Sequence, residues 1–166
     1  QLCNTNNNPC FATAGSADKI DRCQTLGADA GWDRTEGSFL QAVTQWGEVD
    51  VVLDPVGAAY LNDNLSCLKI DGRLVLIGLL SGAEVQLNLG LLLMKRLRVI
   101  GSTLRARSVP VKAAIMDALQ ANVWPHFVDG TIKPIIEEVM PIVDADRAHQ
   151  LLASDQTFGK VVLQLL

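Results

Sequence analysis

Gly15, Ser16 and Lys19, in the stretch ATAGSADKIDRCQTLGADAG over residues 12–31, carry the first chemical signal. The pattern reads as a strand, a glycine turn and a helix. It puts a hydroxyl at the helix start and an ammonium one turn on. Free backbone N–H groups at a helix N-terminus attract anions, and a compact ammonium adds to them, so these residue types suit a phosphate. Two units of a nucleotide-binding fold could use such a turn. A first unit, which cradles a pyrophosphate, wants G-x-G-x-x-G and finds one glycine here; a second unit faces the adenosine ribose. In isolation Ser16 reads as a helix cap and Lys19 as a solvated charge, while Asp18 in the first turn serves the helix dipole.

Two further stretches have glycines where strands end. DPVG, Asp54–Gly57, and IGLLSG, residues 77–82, each follow an apolar run. Ligands of open α/β sheets sit at the carboxyl ends of strands. Asp54 reads there as a cap for the next helix. No Ser-His-Asp set, paired carboxylates or metal cluster emerges. His126 and His149 have no identifiable acid partner and read as packing or surface residues. Cys3, Cys10, Cys23 and Cys67 lack C-x-x-C spacing and read as reduced structural thiols, with no zinc site to be assembled from them.

The elements that must position these residues come from an apolar chain. Its 166 residues are 49% hydrophobic, enough for one sizeable core, with a net charge of −4. That charge excludes a dedicated nucleic-acid surface. The densest basic stretch, Lys95–Arg107, reads as a buried strand with basic ends. The longest apolar run, Leu87–Met94, is too short to span a bilayer, and a cytoplasmic protein is expected.

Strands are expected at Phe11–Ala14, Ala30–Asp33, residues 49–54, RLVLIG and RVIGST, the VDVVLD run being suited to burial on both faces of a parallel sheet. Helices are expected over Ala17–Leu26, Ser38–Trp46, Ala58–Leu68, Leu89–Lys95 and Val111–Val123. The last has Pro110 in its first turn and Val111, Ile115, Ala118 and Leu119 as its inward face. Asp71-Gly72 reads as a turn. After Asp129-Gly130, PIIEEVMPIV reads as an edge strand, Asp144 caps a helix through Leu152, and GKVVLQLL closes the chain as a strand. Alternating strands and helices imply βαβ crossovers and a parallel sheet.

TAGSADK, LGADAG, VDVVLDPVG, LKIDGRLVLIGLLSG, GSTLRARS and FGKVVLQL occur in the order and spacing of the zinc-independent quinone oxidoreductases. The chain from Pro9 onward resembles this zeta-crystallin-like branch of the medium-chain dehydrogenase/reductase superfamily. The resemblance makes residues 10–26 the second unit. It implies a Rossmann-type doubly wound parallel sheet lacking its first strand over residues 1–130. Residues 131–166 are implied to be a piece of the GroES-like catalytic domain, and QLCN at the start resembles the end of a preceding helix. The chain is thus expected to be a C-terminal part of a longer protein, unstable or aggregating by itself.

The resemblance also implies NADPH as cofactor, held at its 2′-phosphate by Gly15, Ser16 and Lys19, with Arg34 pairing with the phosphate or stacking on adenine. Gly57 is implied to let backbone approach the cofactor, and Gly78, Leu79 and Leu80 to wall the nicotinamide. Ser102 and Leu104 are implied on the nicotinamide side, and Gly159-Lys160 to make a closing contact. The implied reaction passes hydride to a quinone or an α,β-unsaturated carbonyl, by a homodimer pairing sheet edges near Arg98–Thr103. An enoyl-reductase module of a fatty-acid or polyketide synthase and a non-catalytic NADPH-binding structural protein are the alternatives; a low Ala/Arg bias and an end at Leu166 point away from the module.

Overall fold

A computed structural model describes residues 1–165, and Leu166 with its strand expectation lies outside them. Strand and helix alternate as α1 (Leu2–Thr5), β1 (Phe11–Ala14), α2 (Ala17–Thr25), β2 (Ala30–Asp33), α3 (Leu40–Trp46), β3 (Val49–Asp54), α4 (Leu61–Cys67) and β4 (Leu68–Leu76). There follow α5 (Leu89–Lys95), β5 (Arg98–Gly101), α6 (Val109–Asn122), α7 (Trp124–Val128), β6 (Ile136–Pro141), α8 (Ala145–Ala153) and β7 (Lys160–Gln164). All strand pairings are parallel, in three groups: β1 with β2, β3-β4-β5, and β6 with β7. Among the described residues β1 pairs only with β2 and β3 only with β4, so the sheet order has a break between β1 and β3. That break falls where the implied first strand would lie.

Local chemistry sets the elements. Ser16 Oγ accepts from Lys19 N at 3.3 Å and caps α2, and Gly27, at φ +102°, turns the chain after it. Leu61 and Leu65 of α4 bury against Leu68 and Leu74 of β4, with Val49 and Val52 of β3 packed around them. Each such fully buried leucine contributes about 2 kcal/mol of burial. Tyr60 meets Phe39 edge-on at 5.5 Å and Ser38 Oγ donates to Asp63 at 2.6 Å, which joins α3 to α4. At the other end, Arg22 of α2 lies 3.4 Å from Glu137 and 4.2 Å over the Phe158 ring, docking the β6–β7 unit on the first one.

Several expectations are corrected. β3 is only partly covered: Val51 and Leu53 are 46% and 64% exposed, while Val52 packs against the leucines of α4 and β4. On α6, Val111, Ile115 and Ala118 are exposed and Leu119 half-buried, and its principal neighbour among the described residues is α7. β5 is an exposed edge strand rather than a buried one. Asp71-Gly72 does not separate helix from strand: α4 runs straight into β4, and the pair becomes a bulge where the β3–β4 register shifts between Val49 and Val51. Asp144 precedes α8 without a side-chain cap bond. The accessible surface is 11343 Å² for 17.9 kDa, against about 8,000 Å² for a folded monomer of that mass.

Candidate functional site

The β1–α2 turn brings Gly15, Ser16, Lys19 and Arg34 into one group. Arg34 arrives from the end of β2, which runs beside β1 in register from Phe11 with Ala30 to Ala14 with Asp33. Asp33 accepts from Thr35 N at 2.9 Å and Thr35 Oγ1 at 2.7 Å, which fixes the chain as it leaves β2. Those same bonds hold the Asp33 carboxyl below the usual range. A Cβ at Gly15 would stand 2.8 Å from Arg34 Nη2, so the guanidinium as placed rests on the open face of the glycine.

Both cations converge on one anion. Lys19 Nζ lies 3.2 Å from Asp155 Oδ1 and also donates to the Asp155 carbonyl, while Arg34 Nη2 bonds Asp155 Oδ2. The Lys19 hydrogen bond, then the Lys19 and Arg34 charges, hold the Asp155 carboxyl below the ordinary carboxylate range. The group is built to hold an anion beside a glycine. Its donor set fits a phosphate: two cations, the room left by a missing Cβ, and the N-terminus of the nine-residue helix α2.

The second group gathers at the carboxyl ends of β3, β4 and β5. Asp54 is 2% exposed; its Oδ1 accepts from Val56 N and Gly57 N at 2.6 and 3.1 Å, and its Oδ2 accepts from Asn64 Nδ2 at 3.0 Å. Asp54 therefore fixes its own loop rather than capping the next helix, which corrects the sequence reading. The two loops zip together: Ile77 N donates to Asp54 O at 2.9 Å and Ser81 N to Val56 O at 2.8 Å. A Cβ at Gly78 would sit 2.6 Å from Pro55 O, so the approach requires glycine. Beyond it a groove of about 600 Å³ is lined by Ile77, Gly78, Leu79, Ser102, Leu104 and Arg105.

Of the expected residues, Gly78, Leu79, Ser102 and Leu104 thus share one groove, and Gly57 supports its floor from the neighbouring loop. Leu80 is 84% exposed and stands outside the lining. Gly159 and Lys160 do not line the groove either; Lys160 N bonds Ile135 O at 2.8 Å as β7 begins. Asn64 and Asp155 were missed. Asn64 carried a faint signal, a polar residue on the leucine stripe of α4. Asp155 carried none. His126, expected to lack an acid partner, has Asp129 Oδ2 at 3.9 Å from Nδ1, too far for a hydrogen bond. All four cysteines are free; Cys3 is exposed rather than packed. Among the described residues no three His, Cys, Asp or Glu side chains gather as a metal site.

Residues 1–120 match the family model described as zinc-binding dehydrogenase. The quinone oxidoreductase-like protein 2 of Bos taurus is 30% identical over 162 residues, 93% of this chain and 45% of its own length. An acryloyl-coenzyme A reductase of Sulfurisphaera tokodaii is 25% identical over 127 residues, 76% of this chain and 35% of its own. Among solved structures, the Escherichia coli quinone oxidoreductase complexed with NADPH superposes with a TM-score of 0.82 at 27% identity, over 98% of this chain and 51% of that one. The chain spans about half the length of the curated relatives it matches.

Proposed function

The chain belongs to the zinc-binding dehydrogenase family, and on that premise we propose that it is the cofactor-binding part of an NADPH-dependent reductase acting on quinones or α,β-unsaturated carbonyls. One observation carries the reading: Lys19 and Arg34 converge on a single anion beside Gly15, at the turn that faces the adenosine ribose in this fold. Gly15, Ser16, Lys19 and Arg34 would hold the 2′-phosphate. Gly57, Gly78, Leu79, Ser102 and Leu104 would hold the nicotinamide end, the groove lying at the strand ends where ligands of open α/β sheets bind.

When bound, the reduced nicotinamide supplies the hydride. This chain's own residues would position the nicotinamide end. The zipped loops give the groove a fixed backbone wall, and Ile77, Leu79 and Leu104 make its sides apolar. A fixed groove would lower the barrier by holding reactants in line. The exposed β5 edge, Arg98–Gly101, suits strand pairing with a second copy.

The similarity to acryloyl-coenzyme A reductases favours a second reading in which the acceptor is an unsaturated thioester. NADPH oxidation by the full-length protein, of which this chain spans the cofactor-binding part, measured with an ortho-quinone and separately with an acryloyl thioester, tests both. Turnover with the quinone supports the first reading and turnover with the thioester alone the second. NADPH binding without turnover on either would overturn the reductase assignment.

A further inference from the structure

Asp155 lies in the turn between α8 and β7, more than a hundred residues from the cations it meets. Its backbone is left-handed, φ +55°, a conformation that Asp and Asn tolerate better than most residues. The turn aims the carboxylate between Lys19 and Arg34, and its Oδ2 stands 3.2 Å from where a Gly15 Cβ would be. The guanidinium and the carboxylate together therefore lie against the open face of Gly15. The burial is unequal. Lys19 is 15% exposed and Asp155 66%, so the ammonium belongs to the site and the carboxylate is the removable partner.

A phosphate and a carboxylate cannot share these two cations. A 2′-phosphate carries about two negative charges, and bringing it beside Asp155 sets like charges together, so the side chain must leave for the phosphate to enter. A 2′-hydroxyl carries no charge and makes no such demand. We propose that Asp155 is a specificity-determining residue: a tethered anion that competes with the 2′-phosphate for Lys19 and Arg34, weakening the binding of phosphorylated dinucleotide while leaving the unphosphorylated form unaffected. The inference rests on the reading that this turn receives the adenosine ribose of NADPH. Since Lys19 and Arg34 keep Asp155 ionised, the competition is present throughout the neutral range.

The test is equilibrium titration of the protein with 2′,5′-ADP and with 5′-AMP, which differ by the 2′-phosphate alone. Asp155→Asn removes the charge and keeps the left-handed turn. Exposed ion pairs are individually weak, so the expected result is 2′,5′-ADP affinity raised about three- to tenfold, with 5′-AMP unchanged. Unchanged or weakened 2′,5′-ADP binding would overturn the proposal. Lys19→Gln checks the underlying reading independently: it should lose 2′,5′-ADP affinity. If it does and Asp155→Asn has no effect, the competition alone fails; if neither ligand distinguishes Lys19→Gln from the wild type, the ribose-site reading fails. A crystal structure of the wild-type protein with 2′,5′-ADP gives a readout free of any variant: the Asp155 carboxylate off Lys19 supports the proposal, and the carboxylate still on Lys19 beside the bound phosphate overturns it.

Discussion

Asn64 donates its side-chain amide to Asp54 at 3.0 Å, and both residues are almost wholly buried, at 4% and 2% exposure. The bond ties α4 to the loop that leaves β3. It fills the one carboxylate oxygen that the backbone N–H groups of Val56 and Gly57 do not reach. Asn64→Ala leaves that oxygen buried without its donor, and a lost bond to a charged group costs about 1.5–3 kcal/mol. Urea unfolding of the full-length protein should show that loss of stability. The groove should loosen with it, because the loop that carries Gly57 is zipped to the loop that carries Gly78. An Asn64→Ala protein as stable as the wild type would show that the pair does not anchor the loop.

Lys95 closes the other end of α4. Its ammonium donates to the carbonyls of Ser66 and Leu68 at 2.7 and 2.8 Å, groups that a helix end leaves without partners. Within the stretch expected to be a strand with basic ends, this lysine is a structural cap and Arg96 pairs with Asp71 at 2.7 Å. Lys95→Met keeps the aliphatic stem and removes the donors. It should lower stability by about 1–3 kcal/mol without altering 2′,5′-ADP affinity. Equal effects on stability and nucleotide binding would contradict the separation of the two roles.

Lys19→Glu tests the cofactor preference directly. Reversing the charge removes a charge-assisted contact and introduces repulsion, so NADPH affinity should fall about tenfold or more while NADH affinity changes little. Equal loss for both nucleotides would place the 2′-phosphate away from Lys19.

How much of this was legible depends on the range over which each cue acts. The β1–α2 turn, the helix cap at Ser16 and the β3 run are local and stand where the sequence puts them. The break between β1 and β3 was legible as well, from the resemblance. Periodicity marked the apolar face of α6 but not whether anything packs on it, and Val111 and Ile115 lie open. Asp71-Gly72 has turn chemistry, yet the short path from α4 into β4 absorbs it as a bulge. Asp155 was invisible because its meaning comes wholly from partners 121 and 136 residues away.

Cys67 should be a slow thiol. Burial pushes its pKa up from about 9 to about 11, and Cys67 Sγ donates to Asn64 O at 3.2 Å. A raised pKa means that the folded state keeps the proton after the unfolded state has lost it. Stability is therefore unaffected below pH 9 and declines as pH rises from 9 towards 11. At pH 8 a maleimide should label the exposed Cys3 well before Cys67, read by peptide mass mapping. Labelling of Cys67 as fast as Cys3 would show that its surroundings admit solvent.

The 166-residue chain studied by itself should bind hydrophobic dyes and melt without a sharp transition. Its accessible surface exceeds that of a folded monomer of equal mass, and the excess is apolar: Val51 and Leu53 on β3, Val111, Ile115 and Met116 on α6, Trp124 on α7. Stability is a small difference between burial and chain entropy, so leaving these side chains in water removes much of what holds the chain. The unpaired edges of β1 and β3 add a route to association. Anilinonaphthalene sulfonate fluorescence and calorimetry measure both effects. A cooperative, high-temperature transition with no dye binding would mean that these faces are covered in solution by a second copy of the chain, and sedimentation would then show a dimer.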